Sequence, residues 1–163
     1  MSTHDFGDGR GPVPAHRHRN PDGTGGGWVA ETAWVSGDAW VYGNAWVSGN
    51  AEVSGNAEVS GDAQVSGDAQ VSGDAWVSGN AWVYGNARVS GNAEVSGDAR
   101  VYGNAWVSGD AQVSGNAEVS GDARVSGNAD IISVGPVGSE GRYVTAWRTA
   151  RKGTRLDSSR AEL

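Results

Sequence analysis

The chain has no cysteine, which excludes disulfide frameworks, cysteine-ligated zinc or iron–sulfur centres and thiol catalysis. One methionine and one phenylalanine among 163 residues are too few for a conventional mixed core. Proline occurs four times and never between residues 28 and 131. No run of about 18 apolar residues exists, so no segment reads as a membrane-spanning helix. The opening MSTHDFGDGR lacks the apolar stretch of a secretory signal, and the location expected from it is cytoplasmic. Histidine is confined to His4, His16 and His18. Against these scarcities stand eight tryptophans and 27 glycines. Glycine at that level is more than twice its usual share of about 7%.

The glycines are periodic. From Trp28 to Ile131 the chain repeats every six residues as x-Val-Ser-Gly-Asp/Asn-Ala, with valine in place from Val29 to Val125 and Ile131 closing the series. A helix has no six-residue turn, so six is a short strand plus a corner. Gly-Asn and Gly-Asp supply the corner, glycine taking positive φ freely and Asn or Asp tolerating it best among the rest. In the strand x-Val-Ser the valine faces one way and its neighbours the other. Alanine, two residues before each valine, shares the inward side. The fold class that follows is all-β, a single-stranded parallel β-helix, that is, a three-sided solenoid.

Charge placement sets the length of a coil. With 18 residues per coil, residues 18 apart stack at roughly 4.8 Å, where like charges repel. At that spacing no aspartate falls on another in any corner column. A spacing of 12 would set Asp62 on Asp74, and a spacing of 24 would set Asp38 on Asp62. The residues before the valines agree. One face carries Trp34, Glu52, Gln70, Arg88, Trp106 and Arg124. The next carries Trp40, Glu58, Trp76, Glu94, Gln112 and Asp130, and the third Trp28, Trp46, Gln64, Trp82, Arg100 and Glu118. No like charges are adjacent in any of the three. Residues 28–131 therefore predict about six coils, close to 28 Å of stacked strands.

The pattern Val-Ser-Gly-Asp/Asn-Ala resembles the bacterial hexapeptide-repeat proteins, and the resemblance implies a left-handed parallel β-helix. More narrowly, GGGWVAETAWVSGDAWVYG followed by VGPVGSEGRYVTAWR looks like an uncharacterised bacterial and phage group. In that group the array opens at a GGWV element and closes with a GP-hydrophobic-GS…TAF/WR segment. The best-known hexapeptide relatives are acyltransferases and γ-class carbonic anhydrases, usually trimers with sites between adjacent prisms. Both use a histidine projecting from the helix as general base or zinc ligand. Residues 28–163 contain no histidine, and no inserted loop interrupts the array. The fold carries over from this resemblance and the enzymology does not, so no catalytic residue and no cofactor are assigned.

Residues 1–27 lack an apolar period and are rich in glycine and proline, which predicts a flexible arm. His16 and His18 flank Arg17, but neighbouring arginines repel cations and no rigid third ligand is visible, so no metal site is read there. Residues 132–163 are expected to form a C-terminal cap and basic tail: strands Ser133–Val137 and Tyr143–Arg148 about a Gly138–Gly141 turn, with Trp147 over the last valine layer. Thirteen acids and three bases give residues 28–131 a net charge of −10, whereas six bases and three acids give residues 132–163 a net charge of +3. So acidic a prism does not predict nucleic-acid binding. The corner aspartates diverge and do not converge as calcium requires. The serine column from Ser36 to Ser126 lies beside a rough Trp, Glu, Gln and Arg column and has no threonine methyls, unlike a flat ice-binding face.

The outward tryptophans are the strongest functional signal. One face collects Trp28, Trp46, Trp82, Tyr84, Arg100 and Tyr102, with Tyr84 stacked on Tyr102. Such a surface suits a protein or carbohydrate partner or a second prism. The blander account is that tryptophan covers adjacent strands. The function expected is a non-catalytic structural or binding solenoid. The alternatives are an acyltransferase-like enzyme borrowing catalytic groups, a trimer packed side by side, and a scaffold polymerising end to end.

Overall fold

A computed structural model describes residues 2–36 and 38–127, together with the backbone of residues 129–134 and 144–149. The first three strands are β1 (Thr3–His4), β2 (Val13–Arg19) and β3 (Gly25–Ala30). Short strands centred on the valines follow, from β4 (Trp34–Val35) and β5 (Trp40–Val41) to β18 (Glu118–Val119) and β19 (Arg124–Val125). The array ends in β20 (Ala129–Val134) and β21 (Val144–Thr149). Every step between parallel neighbours in the stack is 18 residues, as in Trp46↔Gln64, Glu52↔Gln70 and Trp76↔Glu94. The prism has three sides, each with six strand layers separated by five such steps. The chain is an all-β parallel solenoid.

The stack is held by backbone hydrogen bonds that each coil makes to the next, such as Trp34 N–H to the Ala51 carbonyl at 2.9 Å and Asn50 N–H to the Gly67 carbonyl at 2.8 Å. Valines 41 to 113 and the corner alanines from Ala39 to Ala117 line the interior with essentially no exposure. The corner glycines from Gly43 to Gly127 hold φ between +61° and +75°. No described non-glycine residue has positive φ, so the expectation that Asn and Asp share that conformation is not met. With φ positive only at the second turn residue and Ala45 N–H bonded to the Tyr42 carbonyl at 3.1 Å, the corner has the pattern of a type II′ turn. Asn and Asp serve the coil-to-coil contact instead. Asn44, Asn50 and Asn56 donate through Nδ2 to Oδ1 of Asp62, Asp68 and Asp74 at 2.9–3.0 Å. Asn80, Asn92 and Asn104 do the same for Asp98, Asp110 and Asp122 at 2.8–3.0 Å. The alternation read as avoided repulsion is also a hydrogen-bonded ladder.

The N-terminal segment corrects the expectation of a flexible arm. Strand β2 pairs antiparallel with β3, and β1 pairs with β2, extending one sheet beyond the first coil. Phe6 and Ala15 are buried against Ala30 with Trp28 and Trp46 alongside. Two features hid this order. The glycines of residues 25–27 read as flexibility, but a Cβ on Gly26 or Gly27 would collide with the carbonyl oxygen of Val41 or Ala45. They are small because two backbones meet there. Meanwhile Asn20, 2% exposed, accepts a hydrogen bond from Val41 N–H at 3.0 Å and so closes the first edge of the second sheet. The segment is a cap over two of the three sides.

At the other end, β20 continues the stack, Gln112↔Asp130 and Val113↔Ile131, and β21 returns antiparallel to it. The first hairpin strand therefore starts at Ala129, earlier than expected, because the closing coil strand and the hairpin strand are one element. The register sets Trp147 opposite Ile131. The expected turn, the packing of the Trp147 side chain and the basic tail lie outside the described residues. The third sheet, from β4 to β19, ends on a bare coil strand at each end among the described residues.

Candidate functional site

All six residues of the expected contact face, Trp28, Trp46, Trp82, Tyr84, Arg100 and Tyr102, lie on or beside the same sheet. The structure divides them into two groups. Trp28 and Trp46 belong to the N-terminal cap. The His4 ring stacks on Trp28 at 4.5 Å with planes 10° apart, and the Arg17 guanidinium lies 4.8 Å from the Trp28 ring. Phe6 meets Trp46 edge to face at 5.9 Å, and His4 does so at 5.5 Å. Sequence reasoning offered Trp28 to a partner, but the protein's own first residues cover it. Their signal is weak, being one phenylalanine and one alanine in a polar segment.

The other four form a second cluster, with Trp82 and Arg100 exposed and Tyr84 and Tyr102 half-buried. Arg100 lies over Trp82 at 5.7 Å and pairs with Glu118 at 3.6 Å. Trp82 meets Tyr84 edge to face at 6.2 Å, and Tyr84 stacks on Tyr102 at 4.9 Å with planes 4° apart. The Tyr102 hydroxyl donates to Glu118 Oε2 at 3.5 Å. Burial, and then the adjacent Tyr102, pushes the Tyr84 phenol above its ordinary pKa.

Between the two groups lies an open groove of about 370 Å³. Phe6 and Trp46 line it from the capped side, Trp82 and Tyr84 from the other. Gln64, the strand neighbour of both Trp46 and Trp82, lies between them with Ser48 and Ser66. Gly7 and Asp8 complete the lining. Gln64 was legible as the residue one coil from each tryptophan, whereas Phe6 and Asp8 carry no periodic signal.

The remaining tryptophans lie on other sheets. Trp34 is 67% exposed and Trp76 49%. Trp106 is partly satisfied, donating from Nε1 to Ser90 Oγ at 3.2 Å under the Arg124 guanidinium. His16 and His18 have separate partners: His16 Nδ1 lies 3.1 Å from Glu31 Oε1, and His18 Nε2 lies 3.3 Å from the Ala39 carbonyl. Among the described residues no three His, Asp or Glu side chains converge as metal ligands would.

The family model described as YdcK Beta solenoid repeat matches residues 63–79, 69–85, 81–95, 93–109 and 111–127. The chain is built of β-solenoid repeats. These matches fall on the same coils that the 18-residue registers define, including Gln64 and Trp82 of the groove. Comparison with the curated proteins and with the solved structures gives no match to either.

Proposed function

We propose that this chain is a non-catalytic binding solenoid of the hexapeptide kind, with the left-handed coil that the resemblance implies. Its contact surface is the groove between Trp46 and Trp82. The observation that carries the reading is the division of the tryptophan face: the cap covers Trp28 and half-buries Trp46, and leaves Trp82 43% exposed beside a concave, aromatic-lined space. Its volume lies at the lower end of the range of about 300–1,000 Å³ usual for small-molecule pockets. A tryptophan that merely covered adjacent strands would need no such concavity, and isolated exposed apolar residues are ordinary. Repetition makes the scaffold rigid, since every coil is hydrogen-bonded to the next, and rigid concave surfaces bind with little ordering cost.

Phenol titrated into ¹⁵N-labelled protein tests the site without presuming its ligand. The expected outcome is that the indole N–H resonances of Trp46 and Trp82 shift together while those of Trp34 and Trp76 stay in place. Equal small shifts at all exposed tryptophans would contradict a localised site.

A further inference from the structure

We propose that the groove binds an uncharged glycan, one pyranose ring lying on the free face of Trp82 with its hydroxyls held by Gln64, Ser48 and Ser66. This rests on the groove being a binding site and goes on to name its occupant.

Trp82 lies between two coils of different chemistry. Its strand neighbours are Gln64 on one side and Arg100 on the other. The Arg100 guanidinium lies over the indole at 5.7 Å and covers the face turned toward the later coil. The opposite face therefore turns toward Gln64 and the groove. An amide side chain is much smaller than an indole, so it leaves part of that face open. The result is a flat apolar platform one coil from a hydrogen-bonding group.

The polar groups around the platform are unspent. Among the described residues, the Gln64 amide and the Ser48 and Ser66 hydroxyls make no protein hydrogen bond, although Ser90 in an equivalent place accepts one from Trp106. The amide and two hydroxyls offer several donors and acceptors next to an aromatic face. A purely apolar side chain seated there would strand them without hydrogen-bond partners, a cost that a ligand with hydroxyls avoids. A pyranose has an apolar C–H face for the indole and equatorial hydroxyls at its rim for the amide and serines. It matches both halves of the site.

Charge selects against ionic ligands. No Lys, Arg or His lines the groove, so an anionic sugar finds no counter-charge. The one carboxylate, Asp8, is already engaged: it accepts from the Arg10 backbone N–H at 3.0 Å and lies 3.8 Å from Arg10 Nε. A cationic ligand gains little from it, and Arg100 already holds the cation position on Trp82. Two strand spacings separate the Trp46 and Trp82 layers, roughly 10 Å, enough for a short glycan segment rather than a single ring.

The test follows the Trp46 and Trp82 indole N–H resonances during titration with cellohexaose, maltohexaose and hexa-N-acetylchitohexaose, with phenol as reference ligand. The expected result is that at least one neutral hexasaccharide moves both resonances and leaves Trp34 and Trp76 unmoved. The response survives high salt, and Kd rises at least about tenfold in Trp82→Ala and in Gln64→Ala. These substitutions alter side chains outside the valine core, so the unchanged remainder of the spectrum verifies folding. If phenol moves the two resonances and no hexasaccharide does, the groove stands as a binding site and the glycan assignment is wrong. If neither moves them, both fall. Hexasaccharide binding that is unaltered in Trp82→Ala also overturns the assignment.

Discussion

The corner glycines from Gly43 to Gly109 meet two requirements that no other residue meets together. Gly67 has φ +70°, and a Cβ there would lie 3.0 Å from Gly85 N and 3.1 Å from Gly85 O on the next coil. Gly121 has φ +63° but, among the described residues, nothing within 4 Å of the same position. Gly121→Ala should therefore cost only the left-handed backbone term, about 1–2 kcal/mol. Gly67→Ala should cost visibly more in urea denaturation, because backbone atoms cannot move aside. Equal losses would mean that the stacked glycines do not constrain one another. The sequence pattern made the φ requirement readable, since glycine holds that place in the repeat without a gap from Gly37 to Gly127. The second requirement became readable only with the register, which sets glycine on glycine.

His4 is the other residue whose environment makes a prediction. Its Nε2 is buried without a partner among the described residues, and burial lowers its pKa below the ordinary 6.5, with Arg17 acting the same way and Asp5 against it. His18 is also lowered, chiefly by burial, against its bond to the Ala39 carbonyl. The unfolded segment thus takes up protons before the folded one does. The stability these neutral rings contribute is complete above the ordinary histidine pKa and is lost as pH falls through and below it. Protection factors of the β1 and β2 amides, with the slower intrinsic exchange at lower pH divided out, should fall from about pH 7 to about pH 5, and less so in His4→Phe. Constant protection over that interval would count against a buried neutral His4.

At the scale of elements, legibility follows periodicity. The valine strands, their 18-residue pairing and the three outward columns were readable because one pattern is repeated with few departures. The N-terminal strands were not, because β2 reads Val-Pro-Ala-His-Arg-His-Arg and only Ala15 of its alternation is buried. Its polar positions are satisfied by neighbours that sequence does not place beside it: Glu31 for His16, the Gly26 carbonyl for Arg17 and the Ala39 carbonyl for His18. The strand is stabilised by what it covers, not by its own pattern. A solenoid end exposes unpaired strand edges that invite association. Here β2 pairs one such edge, and Asn20 satisfies part of a second.

At the scale of the whole molecule, the cap gives the repeat a polarity that repetition alone lacks. The columns Trp34…Arg124 and Trp40…Asp130 are as regular as Trp28…Glu118, and among the described residues it is the last that receives the β1–β2 extension, beside which the groove lies. The structure thus divides the tryptophan face legible in the sequence. Trp82 and Arg100 among its later members are exposed, and its first two are half-buried beside the protein's own cap.

The arrangement of cap and groove is tested most directly by the solvent paramagnetic relaxation enhancement of each tryptophan indole N–H. The predicted result is strong enhancement at Trp34, Trp76 and Trp82 and protection at Trp28 and Trp46, with Trp28 and Trp46 joining the exposed group when residues 1–20 are removed. Trp28 and Trp46 as strongly enhanced as Trp34 in the full chain would contradict a cap over the first coils, and with it the groove.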